Sequence, residues 1–455
     1  MSKPSRIYKC TECGYTSSNW LGRCPNCNSW NTLEEVILEK EVQKTKKKDA
    51  SVKALSLREI KAKSIERITT DYPETDRLLG GGVVPGSVLL IGGEPGIGKS
   101  TLMLQLSESF SRKGLKVLYN CAEESVYQVG LRASRLNIGG ENLRIISEIS
   151  LDNAISVYEE IKPDIFIIDS IQAVRDESLP AQPGTVTQIK LCTSKIIDLA
   201  KRDNSVVFIT GHVTKEGILA GPKTLEHMVD GVFYFEGDRD GIIRLIRSVK
   251  NRYGDTNEVA FMEMTPEGLK EISNPSLFFV REGLGSTPGA TVSVIVEGTR
   301  PILVEVQALV TRSVYAAPRR VVQGVDFNRF SFILAVLEKL LQLPLFNKDV
   351  FLNIPGGVTV KDPALDLSIA LAVISSILEV PLTSELFSFG EIGLTGEIRQ
   401  VMWHEKRVET ALRLGYSEGI VPLKRKEDDP RIRGVRTLKE VYNIIKDARS
   451  YVRPV

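Results

Sequence analysis

Apolar positions along this chain follow two different rhythms, and the change from one to the other divides it. From about Ser64 to Ser273, short unbroken apolar runs alternate with stretches of helical period. Ser87–Ile91, Lys116–Asn120, Asp164–Ser170 and Ser205–His212 read as buried strands, and Thr101–Leu106 opens a helix directly after the first of them. This alternation predicts an α/β domain with a largely parallel sheet. Ile242–Val249 and Glu258–Met264 read as the two arms of a hairpin. From about Asn274 the pattern changes. Thr291–Gly298 and Ile302–Val310 read as strands, Phe330–Gln342 and Ala364–Leu378 as amphipathic helices, and Val350–Ile354 and Gly357–Val360 as short strands. Glu39 to Lys63 has no period and is rich in Lys and Glu, including Lys44-Thr45-Lys46-Lys47-Lys48. It reads as a flexible basic linker, either a solvated tether or a phosphate contact, and about 20 extended residues reach roughly 70 Å. The expected domains are therefore 1–38, 39–63, 64–273 and 274–455.

Composition narrows the class. The chain has 455 residues, too many for one ordinary core, with 25% charged and 42% hydrophobic residues. A net charge of +2 gives no overall field toward nucleic acid, so any such site must come from local clusters. Met1-Ser2-Lys3-Pro4 leads straight to Cys10 without a secretory pattern. The longest apolar run, Leu367 to Leu378, contains serines and is too short to cross a bilayer. A cytoplasmic protein without membrane contact is expected. Four of the six cysteines, Cys10, Cys13, Cys24 and Cys27, form two CxxC pairs, the spacing of a four-thiolate zinc (Zn2+) finger. So short a segment buries little core, and metal binding would supply about 10–16 kcal/mol toward folding it. Trp20 and Trp30, near Arg23, are suited either to stacking on a partner or to packing around the metal.

The densest chemistry lies in Gly93, Glu94, Pro95, Gly96, Ile97, Gly98, Lys99, Ser100 and Thr101, between a predicted strand and a predicted helix. That is the setting of a phosphate-binding loop. Glycines at 93, 96 and 98 let backbone N–H groups turn inward around a triphosphate, and the helix N-terminus adds its dipole. Lys99 is expected to reach the β- and γ-phosphates of ATP, and Ser100 to hold magnesium (Mg2+). Asp169 closes a buried strand and so faces the crevice where such sheets bind ligands, as a second magnesium contact, direct or through water. Glu123, after the neighbouring strand, is placed to polarise the attacking water, with Glu124 beside it as a candidate helix cap. His212 emerges at the same edge, as a γ-phosphate sensor or a structural histidine.

These residues resemble the RecA-type ATPase core. More narrowly, the four-cysteine finger, Leu79-Gly80-Gly81-Gly82 and Lys250-Asn251-Arg252-Tyr253-Gly254 are similar to the RadA (Sms) family of bacterial DNA repair proteins, with Tyr253 in place of that family's usual phenylalanine. The resemblance covers nearly the whole chain. It implies that Lys250 and Arg252 project toward the ATP of a neighbouring subunit and stabilise the transferring phosphoryl group. It implies that loops Gln172–Gln188, with Arg175, and Val213–Thr224, with Lys215 and Lys223, hold single-stranded DNA. The implied activity is that of a DNA-dependent ATP hydrolase in recombinational repair after DNA damage. It would work as a hexameric ring driving branch migration on single-stranded and branched DNA, with RecA as partner.

The last domain, with Gly390–Glu397, resembles the proteolytic domain of Lon, which places its nucleophilic serine after a Lys-Asp-Gly-Pro run. Here Lys361-Asp362-Pro363 is followed by Ala364, and Glu405 aligns with the catalytic lysine, so neither group of a serine–lysine mechanism is present. Ser368, one helical turn past Ala364, and Lys406, one residue past Glu405, are the alternative dyad under a shifted alignment. The overall expectation is an α/β chain: a RecA-like P-loop ATPase core with an N-terminal zinc finger and a C-terminal Lon-protease-like α+β domain, proteolytically inactive. Arg319 and Arg320, with Arg312 before them, are candidate DNA contacts there. The competing functions are an ATP-dependent Lon-type protease and a nucleotide-switched DNA-binding protein without motor activity.

Overall fold

The computed structural model describes residues 6–12, 15–17, 19–27, 29–30, 32–37, 66–212, 225–237, 242–281, 287–314, 317–357, 359–423 and 430–449. Contacts divide the chain into Met1–Ser64 and Ile65–Val455. In the first unit, β1 (Arg6–Cys10), β2 (Thr16–Ser17) and β3 (Leu33–Ile37) form an antiparallel sheet in the order β2-β1-β3. Among its described residues the interior is Cys10, Cys24 and Leu33, with Tyr8 and Cys27 packed against them, too little apolar surface to hold a fold without a cross-link or metal.

The second unit contains a nine-stranded sheet. Its strands are β4 (Val88–Gly93), β5 (Val117–Cys121), β6 (Leu143–Ile146), β7 (Ile165–Asp169), β8 (Val206–His212), β9 (Gly231–Glu236), β10 (Ile243–Asn251), β11 (Val259–Thr265) and β12 (Gly268–Glu271). Their spatial order is β12-β11-β10-β9-β4-β8-β7-β5-β6; β9 through β6 run parallel, and β10 to β12 add an antiparallel flank. Every residue of β4 and β5 is buried, as expected of strands covered on both faces. Period-two alternation sorts them: Leu89 and Ile91 join the core under helix Lys99–Arg112, while Val88 and Leu90 join the core under Leu151–Ile161 and Val186–Asp203. After β4 the chain crosses to β5 and leaves a gap that β7 and β8 later fill. The carboxyl ends of β4, β8, β7 and β5 therefore stand side by side.

The chain continues through β13 (Ala290–Glu297), β14 (Arg300–Arg312), β15 (Arg320–Gln323), β16 (Lys348–Asn353), β17 (Leu386–Ser388), the hairpin β18 (Glu391–Ile392) and β19 (Ile398–Arg399), β20 (Glu418–Pro422) and β21 (Ile432–Val435). All but the hairpin form a mixed sheet in the order β15-β16-β14-β13-β17-β20-β21. Helix Asp366–Leu378 is buried at every position from Asp366 to Ser375, a central helix rather than an amphipathic one. Three sequence expectations change here. Arg312 lies within β14 rather than beyond its end. Gly357, Thr359 and Val360 are not in a strand; the Val360 N–H instead donates to the Gly324 carbonyl at 2.9 Å. Gln188 belongs to helix Val186–Asp203 rather than to the preceding loop. Among the described residues, no helix is long and apolar enough to cross a membrane.

Candidate functional site

β4 ends at Gly93, and helix Lys99–Arg112 begins five residues after Glu94. Gly93, Gly96 and Gly98 have φ of 155°, 78° and 122°, which L side chains rarely adopt. A Cβ on Gly98 would lie 2.8 Å from Met264 Cε, whereas one on Gly96 would meet nothing within 4 Å. The loop is thus packed at its base and open at its rim. No side chain caps the helix at Gly98, leaving first-turn N–H groups at Ser100 and Thr101 for an anion. Glu94 is half-buried, Pro95 is exposed, and Ile97 anchors the loop at 1% exposure.

Lys99 is buried, at 5% exposed. Its ammonium donates to the carbonyls of Gly93 at 2.8 Å and Glu94 at 2.9 Å, and to His212 Nδ1 at 3.3 Å. Burial pulls its pKa down to about 8, against the opposing pull of Asp169 and Glu123. His212 Nε2 lies 3.2 Å from Glu123 Oε1. Both bonds form together when the imidazole carries its proton on Nε2 and accepts from Lys99 on Nδ1. Ser170 Oγ donates to the same Glu123 oxygen. The His212 bond, and then the Ser170 bond, hold the Glu123 carboxyl below its ordinary pKa despite desolvation. Asp169 accepts from the Tyr119 hydroxyl at 2.6 Å and from Thr210 Oγ1. Register explains the grouping: Gly93 pairs with His212 across β4 and β8, and Cys121 with Asp169 across β5 and β7. Glu124 is not the helix cap. It takes Arg132 at 2.7 Å, while Ser125 and Gln128 form the capping box of Val126–Arg135.

The other predicted residues are dispersed. Arg175 is bonded through its backbone to Ile149 and Leu151, and its side chain lies 3.8 Å from Glu177. Fully buried Gln188 gathers the loop before it, donating to the carbonyls of Asp176, Leu179 and Ala181. Lys215 and Lys223 lie outside the described residues. Lys250 Nζ donates to the carbonyls of Glu226 and Val229 at 2.7 and 2.8 Å. Arg252 pairs with Asp230 at 2.9 Å, and the other Asp230 oxygen accepts the N–H of Val88 at the foot of β4. Arg319 is exposed, whereas Arg320 donates to the carbonyls of Leu345 at 2.7 Å and Lys348. Ala364 is fully buried; Ser368 Oγ is bonded to Ser388 Oγ at 2.7 Å; Glu405 is exposed, and the Lys406 ammonium sits 3.8 Å over the Trp403 ring. No serine–lysine dyad is assembled from these groups.

In the first unit, the sulfurs of Cys10, Cys24 and Cys27 lie within 4.8 Å of one another, and Cys10 and Cys24 are buried. Three converging thiols suit a zinc ion; Cys13 lies outside the described residues. Tyr119, Thr210 and Asp230 have no sequence signature, because their roles depend on which strands become neighbours, and the bond from Ser170 to Glu123 depends on that too.

Residues 8–35 match the family described as the rubredoxin metal binding domain, and residues 316–425 match the family of subunit ChlI of Mg-chelatase. Among solved structures, the KaiC-like protein PH0186 of Pyrococcus horikoshii aligns with 46% of this chain and 99% of its own, at 19% identity and a TM-score of 0.38, a likeness that carries no functional information. The chain is 44% identical to the DNA repair protein RadA of Listeria monocytogenes, over 97% of this chain and 98% of that one. Identity to RadA of Streptococcus pyogenes is 45% over 98% of this chain and 100% of that one, and to RadA of Bacillus subtilis 42% over 99% of each. Identity at this level across nearly all of both chains means that this chain belongs to the RadA family of DNA repair proteins.

Proposed function

We propose that the chain is a DNA-dependent ATP hydrolase that works as a hexameric ring in the cytoplasm, driving branch migration of single-stranded and branched DNA beside the RecA recombinase. The observation that carries this reading is the row of side chains at four adjacent strand ends: Lys99, His212, Asp169 with Ser170, and Glu123, beside an uncapped helix N-terminus. The open rim at Gly96 suits a triphosphate. Lys99 would trade its carbonyl contacts for phosphate oxygens. Glu123 would polarise the attacking water, and His212 would register the γ-phosphate. Ser100 and Asp169 would hold magnesium, which when bound neutralises phosphate charge. Lys250 and Arg252 would act on the ATP of a neighbouring subunit. Arg175, Lys215 and Lys223 in the two loops, with Arg319 and Arg320, would contact DNA. Cys10, Cys13, Cys24 and Cys27 would hold structural zinc.

The decisive experiment measures ATP turnover with and without single-stranded DNA, and branch migration of a three-strand junction. Turnover that rises with DNA and moves the branch supports the motor. Slow, DNA-independent turnover with no strand movement would instead identify a nucleotide-switched binding protein. Digestion of casein would return the Lon-type protease reading.

A further inference from the structure

The row at the sheet's carboxyl edge has two ends that nucleotide treats differently. At one end Lys99 is bonded to Gly93, Glu94 and His212, and any phosphate it binds competes with those partners. His212 then loses its neighbour on the Nδ1 side, and the link from Nε2 to Glu123 becomes free to rearrange. At the other end Ser170 donates to Glu123 and is not among the residues read as phosphate contacts. Ser170 is 1% exposed, so no bulk water competes for its hydroxyl. It also directly follows Asp169 at the end of a strand buried along Ile165–Ile168, a rigid mounting, whereas Glu123 stands two residues beyond the end of β5.

We propose that the Ser170 hydroxyl is the fixed tether that holds the Glu123 carboxylate at the phosphate edge while its other tie, to His212, is made and released. Ser170 is thus a positioning residue, acting through Glu123. The inference rests on the reading of Glu123 as the group that polarises water. A glutamate side chain has three rotatable bonds, and a single donor from a buried strand end removes most of the arrangements in which the carboxylate points away from the water.

The test compares steady-state ATP turnover and fluorescent ATP-analogue binding for the full chain and four variants. Glu123→Gln is expected to lose about 100-fold or more in kcat; wild-type turnover in it would remove the Glu123 reading itself. Given that loss, Ser170→Ala should lower kcat about 10- to 100-fold, with KM and analogue affinity within about twofold of wild type. Ser170→Cys, which keeps a weak donor, should fall between. Adding Ser170→Ala to Glu123→Gln should slow turnover no further, because the tether has nothing left to position. Wild-type kcat in both Ser170 variants would overturn the inference, as would an equal further loss in the double variant. Melting curves check folding: if only Ser170→Ala unfolds, the kcat of Ser170→Cys decides, and unfolding of both would make Ser170 a packing residue.

Discussion

Lys99 illustrates how far burial sets the state of a side chain before any ligand arrives. Two backbone carbonyls and one imidazole nitrogen satisfy an ammonium that has left bulk water. That charge faces His212, Asp169 and Glu123 across the strand ends as well as the loop carbonyls, so Lys99→Ala should abolish ATP hydrolysis and, by leaving the Gly93 and Glu94 carbonyls without this donor, cost about 1–3 kcal/mol of stability. Retained turnover in a well-folded Lys99→Ala would remove the phosphate-loop assignment. The two arginines of the last domain divide by the same reasoning. Arg320 is committed to Leu345 and Lys348, and its truncation leaves those carbonyls without a donor. Arg320→Ala should therefore destabilise by about 1–3 kcal/mol, read by denaturant melts, and affect DNA binding only through that loss. Arg319 is exposed, with its backbone N–H donating to Asp349 at 2.8 Å, and is the more solvent-accessible candidate for phosphate. Arg319→Ala should reduce the slope of log affinity against log salt by up to about one unit. An unchanged slope would leave this region to assembly alone.

At the scale of elements, the Leu79 to Gly82 and Lys250 to Gly254 segments explain each other. A Cβ on Gly254 would lie 2.8 Å from Gly80 Cα, and one on Gly80 would lie 2.8 Å from Gly254 Cα, so the two backbones touch where neither tolerates a side chain. Asn251 donates to the Leu78 carbonyl, and Arg67 to that of Tyr253 at 2.7 Å, closing the seam on both sides. Gly254→Ala should cost about 1–3 kcal/mol through overpacking; an unchanged melting temperature would contradict that contact. This seam also shows what the sequence made legible. The phosphate loop could be read because its glycines meet a local backbone demand, and the parallel strands because complete burial leaves unbroken apolar runs. The glycine pair stood out as two motifs, but their contact joins positions far apart in the chain and carries no local period. The same limit hid Thr210, Tyr119 and the partner of Ser170, because these hydroxyls find their acceptors only once β5, β7 and β8 are neighbours. β15 was missed for another reason: at an edge, Val321 and Gln323 stay exposed, so four residues show no apolar run.

For the whole molecule, the division into two units separates two sources of stability. The first, with three cysteine sulfurs drawn together and little apolar core, should unfold when zinc is chelated, whereas Ile65–Val455 keeps its own cooperative transition. Calorimetry with and without chelator checks this, and loss of the main transition on chelation would contradict it. Within the larger unit, Asp230 has a consequence for discrimination. It is 4% exposed and holds both the foot of the phosphate-loop strand and the Arg252 guanidinium. Arg252 therefore starts from an occupied state, and drawing it away leaves a buried carboxylate without its closest cation. The proposed role of Arg252 therefore carries a threshold that a freely solvated arginine would not, because any anion drawing it away must first compensate for the pair lost at the foot of the phosphate-loop strand.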